Sequence, residues 1–167
     1  MWLSRKIFFI ILAITFLSNC GFKPLLETKE NRSTILGIGK FNIFSPKDEI
    51  SFKIREELLK DLGLPNKPSH MILVDSKLKR EKSLITKANE ITRYNLILES
   101  KFQLISLQIK KEIYNKNYTS QTAYSASKNI TGFATKTAEN SAEERLAKDI
   151  ANKIIMELLM LRKDLKN

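Results

Sequence analysis

Between Ile91 and Leu107 the side chains follow a period of two. Tyr94, Leu96, Leu98, Phe102 and Leu104 fall on one parity, and Arg93, Asn95, Glu99, Lys101 and Gln103 on the other. A period of two sends successive side chains to opposite faces of an extended chain, whereas a helix would scatter these apolar groups around its circumference. The segment therefore reads as a long strand of a sheet with one packed face. Its other face is wet, or covered by something outside the domain.

The flanking sequence supplies the rest of that sheet and its cover. Ile72, Val74 and Leu78 alternate with Leu73, Asp75 and Lys77, which predicts a strand over residues 71–78, with the basic KLKREK of Lys77 to Lys82 leading into a turn. Residues 112–124, with Tyr114 and Tyr118, read as a further strand after a turn at 108–111. Residues 35–44 read as the first strand, on the shared parity of Ile35, Phe41 and Ile43, although Gly37 and Gly39 weaken it.

Two stretches instead have helical period. In the first, Ser45 as cap, Pro46 in the first turn and Asp48 completing a capping box precede Ile50, Ile54 and Leu58, with Leu59 and Leu62 widening the stripe and Gly63 and Pro65 ending it. The second is expected over 137–162, with Ala142, Leu146, Ile150, Ile154, Leu158 and Leu161 inward, after a loop at 125–133. A crossover through the first helix makes the first two strands parallel, and hairpins add the others antiparallel. The expected fold is α+β: a two-layer sandwich of order β-α-β-β-β-α, with a four-stranded mixed sheet and both amphipathic helices on one face.

The N-terminus carries a different message. Arg5 and Lys6 precede an apolar run from Ile7 to Leu17 broken only by Thr15. Eleven residues are too few to span a bilayer, which takes about 20, so the run reads as the core of an export signal. It ends in Leu17, Ser18, Asn19 and Cys20, the only cysteine of the chain. A lone cysteine forms no internal disulfide and no thiolate cluster. The stretch resembles the lipobox of bacterial lipoproteins, with Asn19 where Gly, Ala or Ser is usual. That resemblance implies cleavage after residue 19, a diacylglycerol on the Cys20 sulfur and an N-acyl chain, palmitate among the expected groups. Gly21, in place of an Asp that commonly retains lipoproteins at the inner membrane, points to the outer one. The expected organisation is a signal peptide over 1–19, an acylated N-terminus and polar tether over 20–34, and one domain over 35–167. An ordinary secretion signal with a chance cysteine is the alternative.

Beyond the leader, 27 Lys and Arg face 18 Asp and Glu, a formal +9. Such an excess favours an anionic partner. Inside a cell that would be nucleic acid, but an exported, anchored chain meets lipid phosphates, lipopolysaccharide and acidic polymers instead; a nucleic-acid partner is not expected. Solvated lysines spread over the surface would give the same balance.

Catalytic signals are sparse. His70 is the only histidine and lies where a loop meets a strand, so it reads as a strand-start residue rather than as a base or metal ligand. Glu56/Glu57 and Glu143/Glu144 are adjacent on helices, where neighbours do not face each other, and are expected to be solvated surface. Gly37 to Gly39 lacks the third glycine and following helix of a phosphate loop. No catalytic residue, metal site or cofactor is expected, apart from the covalent lipid on Cys20.

Four stretches resemble the LptE lipopolysaccharide-assembly lipoproteins, in their alphaproteobacterial form: CGFKPLL at 20–26, with Leu26 where the family often has Tyr; TRYNLILESKFQL at 92–104; GFAT at 132–135; and AEERLAKDIANKI at 142–154. The resemblance implies a non-enzymatic lipoprotein on the periplasmic side of the outer membrane. It would plug the β-barrel LptD, help that barrel assemble, and bind lipopolysaccharide during insertion into the outer leaflet. A ligand with phosphates and sugars beside acyl chains calls for basic side chains near apolar surface. The candidates are Lys77, Lys79, Arg80, Lys82 and Arg93. Two other readings stay open: a stand-alone periplasmic lipoprotein that binds an anionic ligand, and a secreted hydrolase using His70.

Overall fold

The computed structural model describes residues 37, 39–85, 91–126 and 132–161. The leader, Cys20, the tether and Ile35 lie outside them. The described chain runs β1 (Phe41–Phe44), α1 (Glu49–Leu62), β2 (His70–Ile85), β3 (Ile91–Ser106), β4 (Lys111–Ser125) and α2 (Gly132–Met160). The sheet order is β1-β2-β3-β4. β1 pairs parallel with β2, from Phe41 opposite His70 to Phe44 opposite Leu73. The β2/β3 and β3/β4 pairs are antiparallel. This is the α+β architecture that the two periodicities predict, with both helices over one face.

The core lies between that face and the helices. Ile50, Ile54, Leu58 and Leu62 of α1 and Leu146, Ile150, Ile154 and Leu158 of α2 meet Ile72, Val74, Leu96, Leu98, Phe102 and Leu104 of the sheet. Burying each such side chain contributes about 1.5–3 kcal/mol against the entropy of ordering the chain.

The structure corrects four details. β1 starts at Phe41 and not at Ile35, because Gly37 and Gly39 both take φ 78° and make a turn. The Gly39 N–H reaches the Leu62 carbonyl at 3.1 Å, and a Cβ on Gly39 would meet the Asn66 backbone at 3.0 Å, so the turn sits tight against the end of α1. The cap of α1 is Asp48, not Ser45; its carboxylate accepts from the Ser51 N–H at 2.9 Å. Gly63 closes the helix as expected, donating to the Leu59 carbonyl at 2.9 Å. The second strand does not end at Leu78: KLKREK lies wholly within β2, paired throughout with β3, and the strand runs on to Ile85. Finally, α2 begins at Gly132 instead of Thr137, so GFAT is its first turn.

Candidate binding surface

The sheet has two unlike faces. Beneath the helices, acids of α2 are fastened to the strands. Glu157 accepts from Tyr114 Oη at 2.5 Å, Lys116 Nζ at 2.6 Å and Tyr118 Oη at 3.0 Å. Burial raises the Glu157 pKa, but these three donors outweigh it and hold the carboxyl below its ordinary range. Burial, reinforced by the Glu157 bond, pushes the Tyr118 hydroxyl far up. Asp149 accepts from Ser120 Oγ at 2.6 Å, and Glu143 from Lys53 of α1 at 2.5 Å. Glu143 is therefore buried in an ion pair rather than solvated, while its neighbour Glu144 is exposed. Only one of two adjacent helical positions can face the partner helix.

At the far end of β2, Arg80 pairs with the buried Glu139 of α2, and its guanidinium lies 5.5 Å from the Tyr94 ring centre and 6.0 Å from that of Tyr124. The two rings stack at 5.4 Å. Arg80 thus sits at the rim of the layer between sheet and helix, tied to Glu139 and the two rings, with about half of its side chain exposed.

The opposite face carries nothing from the described residues. Across it the register sets Asp75 opposite Lys101 and then Asn117, Lys77 opposite Glu99 and then Thr119, and Lys79 opposite Ile97 and then Gln121. Lys79 binds Glu99 at 2.5 Å. Glu112 accepts from both Gln103 and Asn115. Among the described residues Lys77, Lys101 and Arg93 have no ion-pair partner. Residues 75–77, 99–101 and 117–119 line a shallow depression of about 350 Å³ in the middle of the sheet.

The five basic candidates thus divide. Lys77, Lys79 and Arg93 lie on the open face, whereas Arg80 and Lys82 have the register of the helix-covered face. Lys101, Asn117 and Thr119 join Lys77 without having been singled out as ligand residues. A strand charge is placed by its cross-strand neighbours, and single-chain reading does not pair strands. Cys20 is outside the described residues.

Two other features have less to offer. A groove of about 620 Å³ runs between the outer sides of the helices, where Lys53, Lys60, Arg145 and Lys148 alternate with Glu56, Glu57 and Glu144. His70 opens β2, its Nδ1 2.9 Å from Ser69 Oγ and its ring 5.9 Å from that of Phe41. Burial, then the charge of Lys40, lowers its pKa. Among the described residues no carboxylate orients the ring, and no group of His, Cys, Asp and Glu could hold a metal ion.

Residues 40–158 match the sequence model of LptE, described as lipopolysaccharide-assembly. The match spans every element from β1 to all but the last two residues of α2. The chain belongs to the LptE family. Solved structures with the same fold include a lipoprotein from Caulobacter crescentus CB15, 17% identical, with 81% of this chain and 98% of that one covered at a TM-score of 0.62. Rare lipoprotein B from Shewanella oneidensis aligns at 14% identity, 76% and 98% coverage and a TM-score of 0.56. A minor lipoprotein from Acinetobacter baumannii follows at 16% identity, 74% and 92% coverage and 0.52. No curated relative matches in sequence. At such identities the LptE fold is shared while surface residues are free to differ, so the open face has to be read from this chain's own side chains.

Proposed function

We propose that this LptE-family chain is a lipid-anchored, non-enzymatic component of lipopolysaccharide assembly at the outer membrane. It acts as plug and assembly partner of an LptD-like β-barrel and binds lipopolysaccharide. The observation that carries the reading is the open face of the sheet: long, polar, and bearing Lys77, Lys101 and Arg93 without ion-pair partners among the described residues. The lumen of a large barrel is lined by polar side chains, so a plug needs this kind of surface more than an apolar one. Unpaired ammonium and guanidinium groups beside Ile97 and Thr119 suit phosphate and sugar next to acyl chain. The related lipoproteins of Shewanella oneidensis and Acinetobacter baumannii and the lipobox-like leader support an anchor at Cys20. Among the described residues no helix is long and apolar enough to cross a membrane.

The test is photo-crosslinking in native membranes, with the reactive group at Gln121 on the open face and, for comparison, at Lys148 in the helix groove. A strong adduct of Gln121 with an outer-membrane barrel is expected. Adducts with lipopolysaccharide alone would instead favour the stand-alone anionic-ligand binder.

A further inference from the structure

The sheet leaves two long edges, and they are finished differently. β1 covers β2 only from His70 to Leu73, so among the described residues no strand lies beside Val74 to Ile85 on that side. That edge is guarded: Lys77, Lys79, Arg80, Glu81 and Lys82 crowd it, and its register shifts twice between Lys82 and Ile85. Charged side chains and bulges are how a protein keeps a free edge from pairing with another chain. At the other side of the sheet, β4 has such guards only at its start, in Lys111, Glu112, Lys116 and a register shift between Glu112 and Tyr114. From Asn117 to Ser125 it reads NYTSQTAYS, with no charge, no proline and no break in register. Tyr and Thr favour extended chain, so half of β4 is a strand-pairing edge left bare.

The alternation of backbone bonds fixes which groups this edge offers. The His70 N–H reaches the Lys40 carbonyl just ahead of β1 at 3.2 Å, so even positions of β2 turn toward β1 and odd ones toward β3. Carried through the register, even positions of β4 bond β3 and odd ones turn outward. Asn117, Thr119, Gln121 and Ala123 therefore point both N–H and C=O away from the sheet. A second observation agrees: Lys153 Nζ of α2 reaches the Thr119 carbonyl at 3.0 Å. Among the described residues it is the one side chain bonded to any of these groups. It also pairs with Asp149 at 2.8 Å, so it keeps a partner when it leaves the carbonyl. Met156, three positions further along the same flank of α2, is 42% exposed and adds an adaptable apolar contact beside the edge.

We propose that the bare half of β4 takes an extended segment of the barrel partner as a fifth strand of the sheet. The proposal rests on the plug reading above. Two of the outward-turned residues, Asn117 and Thr119, also line the depression of the open face, so an added strand prolongs the surface that this reading gives to the barrel. The strands of a closed barrel wall are already paired, which makes the occupant a loop or terminal segment outside the wall. Its main chain bonds the outward groups, and its side chains alternate: polar ones continue the open face, and small or apolar ones lie toward Met156 and the stem of Lys153. A second copy of this chain fits poorly. α2 lies over β4, where Glu157 and Asp149 are bonded; paired strands stand about 4.8 Å apart but packed helices need about 8–10 Å, so two paired β4 strands would drive their α2 helices together.

The experiment uses the full chain with its barrel partner in native membranes, with a photo-reactive side chain at Met156 or, for comparison, at Phe52 in the helix groove. Position 156 should join one stretch of the barrel, identified by mass spectrometry, with a yield about fivefold above that at 52. Asn117→Pro with Ala123→Pro removes two outward N–H groups and no bond to β3, so the sheet is kept, and should cut the yield at 156 by about fivefold or more. Asn117→Ser with Ala123→Ser keeps both groups and should leave it within about twofold. Where the proline pair fails to accumulate, Asn117→Lys with Ala123→Lys gives this edge the guard that β2 has and should cut the yield by about threefold. Yields equal to those of the serine pair overturn the proposal, as do adducts at 156 with a second copy or with this chain's own residues. The label at Gln121 separates the added strand from the plug: a barrel adduct at 121 with none at 156 removes the strand and leaves the plug, whereas no barrel adduct at either position removes both.

Discussion

Beneath the helices, Glu157 collects three donors from β4; on the other side of the same sheet, Asp75 of β2 and Lys101 of β3 stand opposite each other with no bond between them. Both are strand-centred charge clusters, and burial separates them. A carboxylate enclosed between sheet and helix must be satisfied, because an unpaired one costs several kcal/mol. Each buried acid of α2 therefore comes with its own donors. On the open face water solvates every charge, exposed pairs are worth at most about 1 kcal/mol, and side chains remain free to exchange water for a ligand. One face holds the fold together, and the other is left available.

The contrast breaks first at the core. Phe102→Ala empties a fully buried ring position and should cost about 3–5 kcal/mol in denaturant unfolding; a loss below about 1 kcal/mol would mean the helices do not cover the sheet as described. Glu157→Ala comes next, at about 1–3 kcal/mol, for leaving the Tyr118 hydroxyl without its acceptor. Its pH dependence has a definite sign. Because the folded carboxyl lies below its ordinary value of 4.5, its contribution is full above that pH and vanishes as pH falls through the lowered folded value. Unfolding curves of wild type and Glu157→Ala should therefore converge in acid. Tyr118 runs the other way: with its hydroxyl raised above the ordinary 10.0, its contribution is full below that pH and fades in stronger alkali. Tyr118→Phe should lose less stability there than wild type.

Arg80 shows where sequence reading and structure part. The apolar parity of β3 and the two helical stripes were legible, since each states its own buried face. KLKREK states nothing of the kind: six charge-dense residues look like a solvent-bound turn. Within β2 they alternate between faces, and Arg80 is drawn inward by Glu139, an acid on a helix distant in sequence. Likewise Gly37 and Gly39 read as a weakened strand because the contact that makes them a turn, with the end of α1, is tertiary. Lys101 went unremarked as a ligand residue because its nearness to Lys77 depends on strand register. The sheet and its cover were local information; the distribution of charge over them was not. Arg80→Ala should accordingly act on stability, lowering it by about 1 kcal/mol for a half-exposed pair with ring contacts, and should leave lipopolysaccharide affinity within twofold or so of wild type. A large loss of affinity with unchanged stability would make it a ligand residue.

The smallest effect on folding belongs to the open face, and it separates the two faces most sharply. Lys77→Ala with Lys101→Ala removes two exposed charges that hold no partner among the described residues, so stability should move by no more than about 0.5 kcal/mol. If the depression between them receives phosphate, each lysine supplies a charge-assisted hydrogen bond contributing roughly 1.5 kcal/mol. Together they should weaken lipopolysaccharide binding by more than tenfold, measured by titration at fixed ionic strength. Lys60→Ala with Lys148→Ala in the helix groove removes the same charge and should change binding far less. Equal losses from the two double variants would show that overall positive charge, rather than the open face, attracts the ligand, since long-range attraction is indifferent to which side of the domain carries the lysines.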